Sequence, residues 1–396
     1  MRLLNVHSYE IREFVGSDVP PYANLSHTWG EGEWIDTCCI DKRSSSELSE
    51  AINSMYRWYK EAGVCYVYLE DVDVSDLGPF STPNTSSRFK SSRWFSRGWT
   101  LQELIAPPCV VFYTRAWSRI GTRSALESII AEITGISINA LNGDNLDNFA
   151  VAEKMSWASW RTTTRVEDEA YCLLGLFGVS MPLIYGEGNK AFRRLQEIIR
   201  QSDDESIFAC ELSAFGSKSS LGGVIEQSRL LALSPRNFRS SGGFRRSKMT
   251  CGLNGEPLTS TSPFMVTNKG VQISLPVIEG TQLDPGIVTL IENDPSIGKP
   301  IRFENSSWNH RTFAILNCHQ VERKNTYIAL RMHKSVHGTY LRDDHRLFSI
   351  PADCVEKKAI TEHIILSHFD SDRMERREKL PSGLYSYTHS QPALHL

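Results

Sequence analysis

Val64-Cys65-Tyr66-Val67-Tyr68-Leu69 is a six-residue run of β-branched, aromatic and aliphatic side chains with no charge in it. That composition reads as a strand buried in a parallel sheet. On its amino side, Leu48, Ile52, Met55, Tyr56 and Tyr59 recur at helical spacing behind Ser44-Ser45-Ser46-Glu47, a capping box. Earlier still, Tyr22 to Trp29 reads as a strand closed by Gly30, and Trp34 to Ile40 as a second short strand. On its carboxyl side a polar loop from Asp71 to Ser92 leads into a helix stopped by Pro107-Pro108, then the strand Cys109 to Tyr113. Alternation of this kind predicts a layered α/β domain with a mostly parallel sheet over residues 1–120.

From Ser124 the pattern turns helical, and residues 121–205 read as a helical extension. Ser124-Ala125-Leu126-Glu127 and Thr164-Arg165-Val166-Glu167 are further capping boxes, whose helices end at Gly135 and Gly178. A last helix, about Asn189 to Gln201, places Phe192, Leu195, Ile198 and Ile199 on one face. Residues 206–396 change texture. Gly, Ser and Pro loops separate Val271 to Ile278, Ile287 to Ile291, Thr312 to Asn317, Thr326 to Met332 and Tyr340 to Ile350, which predicts an antiparallel β-rich domain.

The bulk properties exclude several classes. Against 43 basic residues stand 46 acidic ones, a net charge of -3 that gives no whole-protein attraction to nucleic acid or anionic membrane. The cluster Arg236, Arg239, Arg245, Arg246 and Lys248 lies in a Gly/Ser-rich stretch and reads as a solvated loop rather than a nucleic-acid site. Met1 to Pro21 lacks the apolar core of a secretory signal, and the most apolar run, Tyr171 to Val179, is too short to span a bilayer. The expected location is cytoplasmic. The 9 scattered cysteines fit reduced thiols, and Cys318, His319, His333 and His337 match no familiar zinc spacing, so no metal is expected.

Chemistry concentrates in Ser92-Arg-Trp-Phe-Ser-Arg-Gly-Trp-Thr-Leu-Gln-Glu-Leu104, where one carboxylate stands among three aromatics and two arginines. Trp99 and Glu103 are four apart, hence on one helix face, and a carboxylate beside an indole occupies a partly dry place. Glu103 is therefore a candidate acid, base or electrostatic group. The alternative is a structural helix in which Trp99 packs in the core and Glu103 pairs with Arg93 or Arg97.

Three blocks together, Tyr22-Ala-Asn-Leu-Ser-His-Thr-Trp-Gly30, Trp34-Ile-Asp-Thr-Cys-Cys-Ile-Asp41 and Ser96-Arg-Gly-Trp-Thr-Leu-Gln-Glu103, resemble the signature blocks of the fungal heterokaryon-incompatibility (HET) domain. Met155-Ser-Trp-Ala-Ser, Ala170-Tyr-Cys-Leu-Leu-Gly and Tyr185-Gly-Glu-Gly-Asn-Lys-Ala-Phe192 extend the resemblance. It implies a role in programmed cell death after fusion of unlike fungal cells, with self-association or other cell-death proteins as partners. Trp99-Thr-Leu-Gln-Glu-Leu104 also resembles the Trp-Cys-Leu-x-Glu-Leu segment of TIR domains, and Leu25-Ser26 is similar to their opening strand. That second resemblance implies a TIR-like fold and makes Glu103 the catalytic carboxylate for cleavage of NAD, a substrate rather than a cofactor. It further implies Ser26, Trp29, Gly30, Asp36, Asp41, Arg97 and Trp99 as binding residues, with the tryptophans as aromatic faces and Arg97 as a pyrophosphate clamp. For Trp29 and Trp99 a core role, and for Asp36 and Asp41 the capping of a turn, stand beside these roles.

Family members usually carry a few tens of residues between the first two blocks, where this chain has only Glu31 to Trp34. A parallel crossover needs a dozen or more residues. Either the two strands form a tight antiparallel turn, or the first strand is displaced, or the sequence has lost a segment, the last being the preferred reading. The expectation is a disordered or misplaced first strand with little or no activity, and an inactive truncated paralogue is an alternative to the active effector.

Overall fold

The computed structural model describes residues 1–14, 18–28, 39–41, 43–76, 87–199, 204–211, 230–247, 264–267, 270–284, 286–291, 311–335, 338–342 and 346–367. An antiparallel ribbon of β1 (Arg2–Leu4) and β2 (Ile11–Glu13) opens the chain. Then come β3 (Ala23–His27), α1 (Ser45–Glu61), β4 (Val64–Leu69), the short α2 (Ser87–Lys90), α3 (Thr100–Ile105), β5 (Val110–Thr114) and β6 (Arg119–Thr122). Their sheet has the order β3-β4-β5-β6, with the first two pairings parallel and the last antiparallel.

The expected displacement of the first strand does not occur. β3 pairs with β4 over five positions, from Ala23 opposite Val64 to His27 opposite Tyr68. The crossover that joins them carries α1, which supplies the length a parallel connection needs. Most of the second strand expected at Trp34 to Ile40, and the connection Glu31 to Trp34, lie outside the described residues.

The order of the parallel strands follows the chain, so right-handed crossovers put α1 and α3 on the same face, where they touch. Cys65, Val67, Leu69 and Phe112 point to that face and are fully buried. Tyr66, on the other face, is 37% exposed. β4 is thus half-buried, which corrects the expectation of a strand covered on both sides; every crossover helix described is spent on one face.

Ser44 caps α1 by accepting the Glu47 N–H. The Glu47 carboxylate does not complete the box. It accepts the Asp41 N–H at 2.9 Å and pairs with Arg2. The helical region holds α4 (Glu127–Thr134), α5 (Ile138–Leu141), α6 (Val151–Ala158), α7 (Asp168–Tyr171) and α8 (Lys190–Ile199). Gly135 and Gly178 do close helical segments, at φ 67° and 63°. The other two capping boxes are corrected. Leu126 starts α4 because its N–H already bonds Thr122 and Arg123 carbonyls, and the Glu167 carboxylate turns away to accept the N–H groups of Gly186 and Gly188.

The remainder contains β7 (Phe244–Arg246), β8 (Met265–Thr267), β9 (Gly270–Glu279), β10 (Thr289–Ile291), β11 (Thr312–Leu316), β12 (Cys318–Gln320), β13 (Thr326–Lys334), β14 (Tyr340–Arg342), β15 (Leu347–Pro351), α9 (Ala352–Lys358) and β16 (Ile360–Ser367). β9, β11, β13, β14 and β16 close into a ring, antiparallel except where β14 meets β16. All five residues of β11 are buried because alternate side chains serve two cores. Phe313 and Ile315 pack with Tyr327, Phe348 and Val355, whereas Ala314 and Leu316 join the core that runs into the helical layer. The segment expected as one strand, Tyr340 to Ile350, is two strands that share the edge of β13 facing away from β11, β15 on its first half (Thr326–Ala329) and β14 on its last residues (Met332–Lys334). No described helix is long and apolar enough to cross a membrane, and no group of His, Cys, Asp and Glu able to hold a metal is present among the described residues.

Candidate functional site

Ser92 to Leu104 is not one helix. Residues 93–96 form a 3-10 turn, residues 96–98 bond alongside Thr162, and only then does α3 begin. Gly98 is required at the crossing point. A Cβ there would lie 2.4 Å from Thr163 Cγ2 and 3.3 Å from Cys172 Sγ.

This break aims the two tryptophans at different targets. Trp94 is fully buried, edge-on to Phe95 and Phe112, and its indole N–H donates to Ser26 Oγ at 2.7 Å. The Ser26 hydroxyl in turn donates to Glu103 Oε2. Ser26 is the fourth of the five residues of β3, so Glu103, half-buried on α3, stands beside the carboxyl half of the first parallel strand. Trp99, at the start of α3, turns toward Asp168 instead and favours its charged form, and Asp168 accepts the Tyr185 hydroxyl at 3.0 Å.

Two buried arginines fix α3. Arg123 Nη1 donates to the Leu104 and Ile105 carbonyls at 2.6 and 3.2 Å, neutralising the negative end of the helix. Arg161 Nη1 donates to the Arg97 carbonyl and to Thr100 Oγ1, both at 2.9 Å, at the helix start. Burial pulls the Arg161 guanidinium down to about 10, against the opposing effect of nearby Cys172 and Glu103. Its Nη2 is buried without a hydrogen-bond partner among the described residues.

The structural alternative for Glu103 is not realised with Arg93, which pairs with Glu70 at 3.2 Å and reaches Asp71. Arg97 is half-buried and supplies its carbonyl to Arg161 and Thr100. Asp41 caps a turn: it accepts the Arg43 N–H at 3.0 Å and the Arg43 guanidinium, whose hydrogen bonds hold its carboxyl below the usual carboxylate range. Trp29, Gly30 and Asp36 lie outside the described residues. The structure therefore brings together Ser26 and Glu103, leaves Asp41 to its turn, and turns Trp99 toward Asp168. Trp94, Arg123, Arg161 and Asp168 were not singled out in the sequence. The only local signal for the first was its place among the aromatics of the Ser92 to Leu104 stretch, and for Arg161 a lone cation just after the apolar helix α6.

A carboxylate gripped by a strand hydroxyl, at the carboxyl half of a parallel strand and near a buried guanidinium, defines an α/β protein with one polarised acidic site, joined here to helical layers and a closed β ring. Over 230 residues, 48% of the chain, the sequence is 44% identical to the Vegetative incompatibility protein HET-E-1 of Podospora anserina. That similarity supports the resemblance to fungal heterokaryon-incompatibility proteins. The chain spans 17% of that relative's length. No family profile and no solved structure matches the chain.

Proposed function

We propose that the chain is a fungal vegetative-incompatibility effector that acts in the cytoplasm and kills by TIR-like hydrolysis of NAD, with residues 1–120 as the reacting domain, 121–205 as its helical extension and 206–396 as the β-rich domain. The observation that carries this reading is the Ser26–Glu103 hydrogen bond, which joins the first and third motif blocks across 77 positions of sequence. In the reaction the bond between nicotinamide and the ribose carbon breaks with its electron pair leaving on nicotinamide. Water adds to that carbon and gives up a proton. Glu103 stabilises the cationic ribosyl centre between these events, as carboxylates do in other glycoside cleavages. The test is release of nicotinamide from NAD by the purified chain. Wild type should release it and Glu103→Ala should not; equal toxicity of the two to a fungal host at equal abundance would remove the enzymatic mechanism.

Self-association is a second reading, favoured by the open face of the sheet. Trp117 is 54% exposed at φ 58° and stacks on Tyr68 at a centroid distance of 4.8 Å, next to Tyr113 and exposed Tyr66. Sedimentation of wild type and Trp117→Ser tests it, and a monomer in both cases excludes it.

A further inference from the structure

We propose that Ser26 and Trp94 are positioning residues for Glu103, forming a one-way hydrogen-bond relay from the indole N–H through the serine hydroxyl to the carboxylate. The inference rests on the reading of Glu103 as the reacting carboxylate, and assigns Ser26 to holding Glu103 in place of contacting the substrate.

The direction of the relay follows from what each group can do. An indole nitrogen only donates, so Ser26 Oγ accepts from Trp94 at 2.7 Å. A serine hydroxyl has one proton, and Glu103 Oε2 is the acceptor within reach of it. Ser26 is 1% exposed and Trp94 fully buried, so bulk water does not compete for the bond between them. Trp94 cannot swing away because Phe95 and Phe112 hold its ring at centroid distances of 5.2 and 5.6 Å.

Three consequences follow for the carboxylate. The hydroxyl proton, polarised by the indole N–H behind it, favours the ionised form of Glu103. One carboxylate oxygen is held by β3, a strand paired along its length, so the orientation of the group is set by the sheet and not by the rotamers of a six-residue helix. The favoured charged state also acts on buried Arg161, whose own charge Cys172 and Glu103 support.

The experiment uses the full chain as wild type, Ser26→Ala, Trp94→Phe and Glu103→Gln. The Glu103 carboxylate is followed by carbon NMR in protein labelled at glutamate side chains, assigned by its disappearance in Glu103→Gln. Ser26→Ala should raise its titration midpoint by about one pH unit, and Trp94→Phe should raise it by less. With NAD as substrate, kcat should fall about tenfold in Ser26→Ala while KM stays within about twofold, the signature of an interaction used in the transition state. An unmoved midpoint in Ser26→Ala overturns the relay, and so does a moved midpoint with unchanged kcat. If wild type releases no nicotinamide, the hydrolase reading fails and the titration alone decides whether the relay exists. Trp94→Phe keeps Ser26 and shortens the relay from its other end, which covers the case in which Ser26→Ala does not fold.

Discussion

The indole of Trp99 faces the carboxylate of Asp168 and favours its charged form, relating the first residue before α3 to α7 across a gap of 69 positions in sequence. Asp168 receives the Tyr185 hydroxyl, and burial still raises its proton affinity above that of an ordinary aspartate. Trp99→Phe keeps a ring in the core and removes the indole N–H. The expected cost is about 1–3 kcal/mol by urea unfolding near neutral pH. Because Asp168 has a raised folded midpoint, it contributes stability that is present below its unfolded midpoint and lost as pH rises through the folded one. Removing the indole N–H raises the folded midpoint further, so the cost of Trp99→Phe should shrink as the pH is lowered toward 4. A cost independent of pH would show that the ring, not the indole N–H, matters.

Gly98 sits where residues 96–98 and Thr162 run side by side, and its Cβ position is filled by the Thr163 methyl at 2.4 Å. Gly98→Ala should therefore destabilise by about 1–3 kcal/mol through overpacking. Thr163→Ser removes that methyl and retains the hydroxyl that bonds the Arg165 carbonyl. The double variant should recover most of the loss, giving a coupling energy of about 1 kcal/mol or more in a thermodynamic cycle. Additive losses would mean that the strain is taken up elsewhere, for example at Cys172.

These two cases mark the limit of what was legible. The strands β9, β11 and β13 could be placed within a residue or two because each is a continuous apolar run between turn-forming segments, and the α/β alternation of the first half followed from the period of its apolar residues. Glu103 and Ser26 stood out singly through their motif blocks. Their hydrogen bond did not, since nothing local relates positions 77 apart. The same holds for Arg161, whose hydrogen bonds reach residues more than 60 positions away, and for Asp168, which owes its importance to burial. The capping box at Ser124 failed for a related reason: Leu126, held against Gly121, decides where the helix starts. β14 and β15 merged in the sequence because both are apolar, although they pair with opposite ends of β13.

Gly175 belongs to the Ala170 to Gly175 block and faces the middle of α1. A Cβ on it would lie 1.9 Å from Tyr56 Cβ and 2.4 Å from Cγ. Gly175→Ala should cost at least about 3 kcal/mol, the upper range of overpacking, because the obstacle is attached directly to a helix backbone and has no rotamer to change. The geometry makes a sharper claim. Tyr56→Ala leaves the Cβ in place, so the double variant should remain strongly destabilised, whereas relief by Tyr56→Ala would show that the ring is the obstacle.

The last expectation concerns Glu153, 1% exposed on α6 and paired with Arg245 of β7. Burial raises its proton affinity, and the hydrogen bond and charge of Arg245 only partly offset this. A carboxyl with a raised folded midpoint binds more protons folded than unfolded, so its contribution is fully present below the unfolded midpoint near 4.5 and is lost as pH rises through the folded midpoint. Each pH unit between the two midpoints corresponds to about 1.4 kcal/mol. Glu153→Gln retains an acceptor for Arg245 and cannot titrate. The wild type should therefore lose stability relative to this variant as pH rises from 4 toward neutral, and the difference should level off above the folded midpoint. Urea unfolding of both proteins at pH 4, 5, 6 and 7 measures it. A wild type that gains on the variant over that range would show that the Arg245 pair, not burial, governs the group.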